Sequence, residues 1–531
     1  MLAVLLLTPL LGSGFVLVRD MVFVPRMPLG RQLLGLDTVP RAVPSDLLVA
    51  LGSRMLPAAW LQQLILVAIV VGGAWGAGRF VPTASRTGVV AAATAYGWSP
   101  YLHERLLLGQ WALLIGWAVL PWAAHAAGSW RRGESGWSAV ACLAVAATGG
   151  ASAVLLVALV VLVLGGHTLR TVGATALLSL PWLVPAVLHP VVTGDPAGVT
   201  AFAARSDTTF GVLISVLQGG GVWAPAAVPP GRAFGAYVAL LVLVVAALGM
   251  TSLLARVGPR LLVLGLLSLG LALLGRLPGG ADLLRWAVQH LPAAGLLRDG
   301  QKWVAPLTLL TAAGVGCGAE RVLRSVSEPA ARRLAGVALA LLPVAALPGA
   351  LRAEGGRLQV SHYPLEWTDL TARTHGQVVV LPWTLYRAFP WTQDRTVLDP
   401  ATKLLSRPVL NDSLPLADGE VAGEDPLAAA LRPVMATGEP LLAALQHLGI
   451  SQVLVEKTTR GADLALVGRQ IRGLDLVQDT PDLTLYDVPG PTAPSPAGGL
   501  WPSVLADGLA AGFGLLAGGS TRRRRRQRHC S

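Results

Sequence analysis

Charge is scarce in this chain. Asp, Glu, Lys and Arg together make up 13% of its 531 residues, about half the share of an ordinary soluble protein. Lysine is nearly missing, with Lys302, Lys403 and Lys457 the only three among 41 basic residues. The three cysteines, Cys142, Cys317 and Cys530, are isolated, which excludes a CxxC metal pair and a disulfide framework. No Walker A motif occurs, no GxGxxG followed by an acidic residue, and no HxxxH or DxD spacing. Aromatic residues do not interleave with basic ones as in a nucleic-acid surface. These absences exclude a secreted soluble enzyme, a disulfide scaffold, a disordered chain and the common nucleotide-binding domains.

What is present is apolar. Hydrophobic residues reach 53% and the mean hydropathy is +0.60. They come in blocks of bilayer length, so the chain reads as an α-helical polytopic membrane protein. Twelve spans are predicted, at about 2–18, 59–78, 86–98, 109–127, 137–149, 151–166, 171–188, 235–254, 259–276, 304–320, 333–351 and 499–518. The short pair at 137–149 and 151–166, split by Gly149-Gly150, reads equally as half-length or re-entrant helices. The abundance of Ala, Gly, Leu and Val, with arginine in place of lysine, is the residue usage of a GC-rich bacterial genome.

The net charge of +12 is unevenly spread. Six positive charges lie in one tail, Arg522 to Arg526 and Arg528. With that tail on the cytoplasmic side, alternate connections carry Arg321, Arg324, Arg332 and Arg333; Arg256 and Arg260; Arg170; Arg131 and Arg132; and Arg79 and Arg86. This is the positive-inside pattern repeated five times. It predicts a bacterial plasma-membrane protein with both termini cytoplasmic and no cleavable signal. The tail is read as a topology anchor and not as a nucleic-acid arm.

The long connections fall on the other side. The largest, 352–490, holds 17 of the 29 acidic residues and 12 basic ones. It reads as a small extracytoplasmic α/β domain: strands at 378–381 and 453–455, a helix within 427–448, and a β-hairpin about Thr480-Pro481-Asp482. The expected organisation is a membrane module at 1–351, the outer domain at 352–490, a linker with the last span at 491–518, and a basic tail at 519–531. Glycines 508, 512, 514 and 518 suggest close packing of that last span. Asp507 within it reads as the buried partner of an arginine.

Outside 352–490 there are twelve acids, and eight are predicted on the outer side: Asp20, Asp37, Asp46, Glu104, Asp195, Asp207, Asp282 and Asp299. Three clusters stand out. Asp20 follows Arg19 at the mouth of the first span, as a general base or as an interfacial cap. The stretch Ser99-Pro100-Tyr101-Leu102-His103-Glu104-Arg105, followed by Gly109-Gln110-Trp111, packs a carboxylate, a guanidinium and an amide between two spans. It suits a phosphate clamp, or an aromatic belt with a local salt bridge. Arg298-Asp299-Gly300-Gln301-Lys302 precedes a span, where two cations suit an anion site or snorkelling anchors. His103, His189 and His290 also fall outside, but no metal-ligand spacing joins them. Tyr386, Arg387, Trp391, Asp394 and Arg395 form a polar–aromatic patch, suited to sugar binding or to contact with the membrane part.

The order of a first span, an acid at its outer mouth, a long first loop, many spans and an outer domain resembles the C-type glycosyltransferase superfamily (GT-C). These are integral membrane enzymes that use polyprenyl-phosphate sugars. The run SPYLHERLLLGQW, Ser99 to Trp111, is similar to a segment of actinobacterial arabinofuranosyltransferase-like membrane proteins, and Leu297-Arg298-Asp299 with Lys302 is similar to a later stretch of theirs. The chain lacks a paired acidic motif in its first loop and is much shorter than the large arabinosyl enzymes. The resemblance implies an inverting transfer to a glycan or lipid acceptor. Asp20 would be the base, and Glu104, Arg105, Gln110, Arg298, Asp299 and Lys302 the substrate contacts, with no cofactor required. The alternatives are a non-catalytic scaffold for envelope assembly and a transporter or flippase.

Overall fold

The computed structural model describes residue 6 and residues 10–37, 40–188, 194–291, 294–416, 419–490 and 500–529. Helices occupy eleven of the twelve predicted spans. They are α1 (Ala58–Phe80), α2 (Arg86–Gly97), α4 (Trp111–Arg131), α5 (Trp137–Ala147), α6 (Ala151–Gly165), α7 (Thr168–Leu188), α8 (Arg232–Val257), α9 (Arg260–Leu273), α11 (Ala305–Arg324), α12 (Pro329–Ala345) and α15 (Leu500–His529). Among the shorter helices between them are α3 (Pro100–Leu107) and α10 (Gly280–His290). Among the described residues, five helices are long and apolar enough to cross a membrane. A sixth span is added if the bent pair Arg260–Arg276 and Gly280–His290 counts as one. Twelve spans are therefore not shown. A helix such as α2, with 12 residues, rises only about 18 Å, well short of a bilayer core.

Residues 2–5 and 7–9 of the first predicted span lie outside the described residues, and its end is not helical. Phe15–Val16 form β1, antiparallel to β2 (Val360–Ser361). Gln62, fully buried in α1, satisfies both sides of Val16, accepting from its N–H at 2.9 Å and donating to its carbonyl at 2.7 Å. A short apolar run does not tell strand from helix by periodicity, and here a backbone partner decided it.

α11 runs through the centre of the bundle, buried along most of its length. It meets α8 backbone to backbone. A Cβ on Gly318 would lie 1.9 Å from the Val245 carbonyl, and one on Gly249 would lie 2.0 Å from the Gly314 carbonyl. This is small-residue helix packing. In the last span a Cβ on Gly508, Gly512 or Gly518 would meet nothing within 4 Å, while one on Gly514 would lie 3.2 Å from the Ala144 Cβ. Asp507 forms no ion pair among the described residues, and its Oδ1 is buried without a hydrogen-bond partner there.

The arginine-bearing connections gather at one end of the bundle. Arg256 donates to the Pro82 carbonyl and pairs with Glu320 at 3.0 Å, Arg260 lies beside Gly166, and Arg131 lies beside Gly258. The opposite end carries a five-stranded sheet in the order β10-β11-β9-β3-β6. Its strands are β3 (Val378–Leu381), β6 (Pro408–Val409), β9 (Gln452–Glu456), β10 (Asp475–Asp479) and β11 (Leu483–Asp487). β3 is parallel to β6 and β9, and β9-β11-β10 are antiparallel, with the hairpin turning at 480–482. Alternate side chains face opposite ways. Val379 and Leu381 pack on α13 (Pro426–Thr437) and α14 (Leu442–His447) through Leu431 and Leu445. Val378 and Val380 join an apolar core that continues through Phe23 and Trp111 into the bundle. The sheet therefore sits directly on the first loop.

Candidate functional site

The site is built on a turn that three chain segments grip. Arg19 adopts φ 44°, a left-handed conformation costly for a side-chain-bearing residue. Met21 N–H closes the turn on the Val18 carbonyl at 2.8 Å. Arg19 exchanges backbone hydrogen bonds with the edge of β5 (Thr396–Leu398), accepting from Leu398 at 2.7 Å and donating to Thr396 at 2.9 Å. Asp20 N–H donates to the Leu108 carbonyl at 3.1 Å. The approach is so close that a Cβ on Gly109, at φ +80°, would lie 2.1 Å from the Met21 nitrogen. Only glycine fits there.

This grip sets Asp20 at the seam between the bundle and the sheet. The Tyr386 hydroxyl, from β4 (Tyr386–Ala388), donates to Asp20 Oδ1 at 2.5 Å. Burial raises the Asp20 carboxyl above the ordinary range. The Tyr386 and Gln110 hydrogen bonds and the Arg19 and Arg41 charges work against that rise. The same contact, with burial, pushes the Tyr386 hydroxyl well up.

From Asp20 a polar chain runs inward. Gln110 Oε1 accepts from Arg105 Nη1 at 2.5 Å, and Arg105 grips Asp299 with two bonds, of 2.6 and 2.9 Å. Burial would raise the Asp299 carboxyl, but the Arg105 guanidinium outweighs it and holds the group below its ordinary range. Lys302 follows Asp299 by three residues. Its ammonium donates to Ser152 Oγ at 3.0 Å and to the Leu296 carbonyl at 3.3 Å. Ser152 arrives through the Gly149-Gly150 turn between α5 and α6. Burial pushes the Lys302 ammonium down to about 8, with Asp299 opposing.

Arg298 lies on the rim. It stacks over the Phe202 ring at 5.7 Å, and its Nη2 donates to Glu424 at 3.4 Å. Glu424 also pairs with the exposed Arg41 at 2.9 Å. The loop that carries Glu424 is tied down again where Ala422 N–H donates to Asp195 at 2.8 Å. One carboxylate from the sheet side thus lies across two cations of the membrane side.

The predicted site residues divide into two layers. Asp20, Gln110, Arg298 and Lys302 keep part of their surface open, while Glu104 and Arg105 are completely enclosed and Asp299 nearly so. Glu104 accepts from Gln301 at 3.0 Å and lies against Asp207, which Arg232 holds at 3.0 Å. Burial, then the neighbouring Asp207, keep the Glu104 carboxyl well above its usual range. Asp207 and Arg232 carried no motif in the sequence. Neither did Arg41 and Glu424.

The outer patch is divided as well. Only Tyr386 reaches Asp20. Arg387 is buried against Asp399 and Glu456, Trp391 stacks on Phe389 with ring centroids 5.0 Å apart, Asp394 pairs with Arg460, and Arg395 donates to Ser361 at 2.6 Å. His103 is buried against Glu354 and His290 bonds the Trp286 carbonyl, while His189 lies outside the described residues. Among the described residues, no three His, Cys, Asp or Glu side chains are grouped to hold a metal ion.

No family model matches the chain, and neither does a curated protein or a solved structure.

Proposed function

We propose that the chain is a membrane glycosyltransferase, moving a sugar from a polyprenyl-phosphate donor to an envelope glycan or lipid acceptor on the extracytoplasmic side. One observation carries the reading. A partly open carboxylate, Asp20, held by Tyr386 and Gln110, feels the charges of Arg19 and Arg41, and Arg41 in turn adjoins Arg298 and Lys302. An acid raised by burial and oriented by a fixed donor suits a general base. Asp20 takes the proton of an acceptor hydroxyl as that oxygen bonds to the anomeric carbon. The bond from that carbon to the phosphate oxygen breaks, and the polyprenyl phosphate leaves with the electron pair. Fixed cations favour that charge without reorganising. Arg298 and Lys302 are open enough to meet the phosphate. Arg105, enclosed on Asp299, acts behind them by positioning Gln110.

A narrow apolar groove, lined by residues such as Trp98, Pro100, Leu217, Val242, Leu243 and Leu347, begins beside the helix that carries Glu104 and Arg105. Its apolar walls suit an isoprenoid tail. The test is transfer of radiolabelled sugar from a polyprenyl-phosphate donor by the purified full chain, with Asp20→Asn as control. Full activity in that variant removes Asp20 from its role.

One observation favours a scaffold instead: Arg41, Arg298 and Arg105 are already paired with carboxylates. Under that reading the purified chain binds neither donor nor free polyprenyl phosphate.

A further inference from the structure

The arginine-rich end of the bundle holds a second feature, far from Asp20. Between the last turns of α8 and α11 lies a cleft lined by Ser252, Arg256, Cys317, Glu320, Arg321 and Arg324. Three guanidinium groups face one carboxylate there. Glu320 is shared by Arg256, at 3.0 Å, and Arg324, and it also accepts from Thr83 at 2.8 Å. Arg321 has no carboxylate partner among the described residues and donates to Thr251 Oγ1 at 3.1 Å and to the Leu248 carbonyl at 3.3 Å. Each guanidinium has five donors, and these contacts use a minority of them. The cleft thus keeps an excess of two positive charges with unspent donors, a set complementary to a phosphodiester.

What adjoins the cleft points to the kind of phosphodiester. Tyr237, Leu241, Val244 and Leu248 are spaced by four, three and four residues and form one exposed apolar stripe along α8. The stripe ends at Leu248, whose carbonyl Arg321 holds. An anion-binding head and an apolar stripe are therefore aligned on one helix, as in a molecule with a charged end and long apolar chains. Inorganic phosphate or a nucleotide would use only the first of these.

We propose that this cleft binds the phosphodiester headgroup of an anionic phospholipid, with the acyl chains lying along Tyr237, Leu241, Val244 and Leu248. Basic pockets between helices at the cytoplasmic surface are suited to such headgroups. The inference needs the bundle to lie in a bilayer and does not need sugar transfer.

The experiment is native mass spectrometry of the full-length chain in detergent, titrated with phosphatidylglycerol, phosphatidylcholine or inorganic phosphate at constant ionic strength. The variants are R321Q/R324Q, which removes two cleft cations and leaves the Arg256–Glu320 pair, and R332Q/R333Q, which removes the same charge outside the cleft lining. The expected result is that phosphatidylglycerol binds in preference to phosphatidylcholine. It weakens roughly thirtyfold in R321Q/R324Q, the effect of removing two arginines at an anionic surface, and by less than about threefold in R332Q/R333Q. Equal weakening in both variants overturns the proposal, since the charge would then act diffusely. So does displacement of the lipid by inorganic phosphate at comparable concentration, which would make the cleft a free-anion site. Near-native melting of R321Q/R324Q shows that a loss of binding is not a loss of fold, and the single variant R321Q, expected at about fivefold, supplies the reading if the double variant melts early.

Discussion

The hydroxyl of Tyr386 donates to the carboxylate of Asp20 at 2.5 Å across 366 residues of sequence. The bond joins the first loop of the membrane part to a strand of the sheet region, and it aims the group proposed as the base. Asp20→Asn is expected to lower sugar transfer by a factor on the order of 10²–10⁴ while the protein still inserts and melts near the parent temperature. In Tyr386→Phe the carboxyl loses a donor that favours its charged form. Its proton affinity rises further, so the acidic limb of the pH–rate profile should move to higher pH. A limb that stays in place, or moves to lower pH, separates Tyr386 from the base.

Lys302 titrates at about 8. Below that value it is charged, and above it the ammonium is lost. KM for an anionic donor should therefore rise several-fold between about pH 7 and pH 9, the interval centred on that transition. Lys302→Arg, which stays charged, should flatten the rise, and Lys302→Gln should give the high KM at every pH. A KM independent of pH in the parent chain contradicts a role for Lys302 in binding the phosphate.

Glu424 lies across Arg41 and Arg298, where a donor phosphate must compete with it. Glu424→Gln frees both guanidinium groups. The expected outcome is donor binding tightened by a few-fold, a gain of about 0.2–1 kcal/mol for partly exposed pairs, with kcat little changed. Weaker binding would mean that Glu424 holds the rim in its working shape and does not cover it.

The enclosed layer is expected to report on stability. Asp299→Asn leaves the buried Arg105 without its counter-charge, a loss of about 3–5 kcal/mol, visible as early melting in detergent. The sign with pH follows from the depressed Asp299 carboxyl. Its contribution is complete above the ordinary carboxylate range and disappears as pH falls through the lowered value. Glu104→Gln should be almost silent, because burial and the neighbouring Asp207 raise the Glu104 carboxyl and so favour its neutral form. Strong destabilisation by that isosteric change would mean that Glu104 is ionised.

Gly109→Ala tests the grip on the Asp20 turn. Its φ of +80° and a Cβ 2.1 Å from the Met21 nitrogen leave no room for the methyl group. Strain alone costs about 1–3 kcal/mol, and relief requires the first loop to move. Activity should fall together with the melting temperature. An unchanged melting temperature would show that the two loops do not touch.

Much of the fold was legible in the residues because it is local. Apolar blocks marked eleven helices, and alternation about Thr480-Pro481-Asp482 marked the β10–β11 hairpin. The count of spans was not legible, since hydrophobicity alone does not separate a crossing helix from a short one inside the bundle. Phe15–Val16 were misread because only Gln62 and Ser361, 46 and more residues away, make them a strand. Of the last-span glycines only Gly514 would bring an added Cβ against a neighbour, the Ala144 Cβ, among the described residues, and the backbone-to-backbone packing occurs at Gly249, Gly314 and Gly318.

For the site, composition and spacing determined which residues carry charge at the end of the bundle that bears the sheet: Asp20, Glu104, Arg105, Arg298, Asp299 and Lys302. Only the tertiary structure decided which of them remain open and which neutralise each other, because a charge near the bilayer takes its character from partners brought by distant segments. Arg105 is spent on Asp299, 194 residues on, while Asp20 keeps an open face through Tyr386. Gly109 was the one local signal of that close approach. The reason is physical: desolvation and Coulomb energy depend on distance in space, and the sequence records distance along the chain alone.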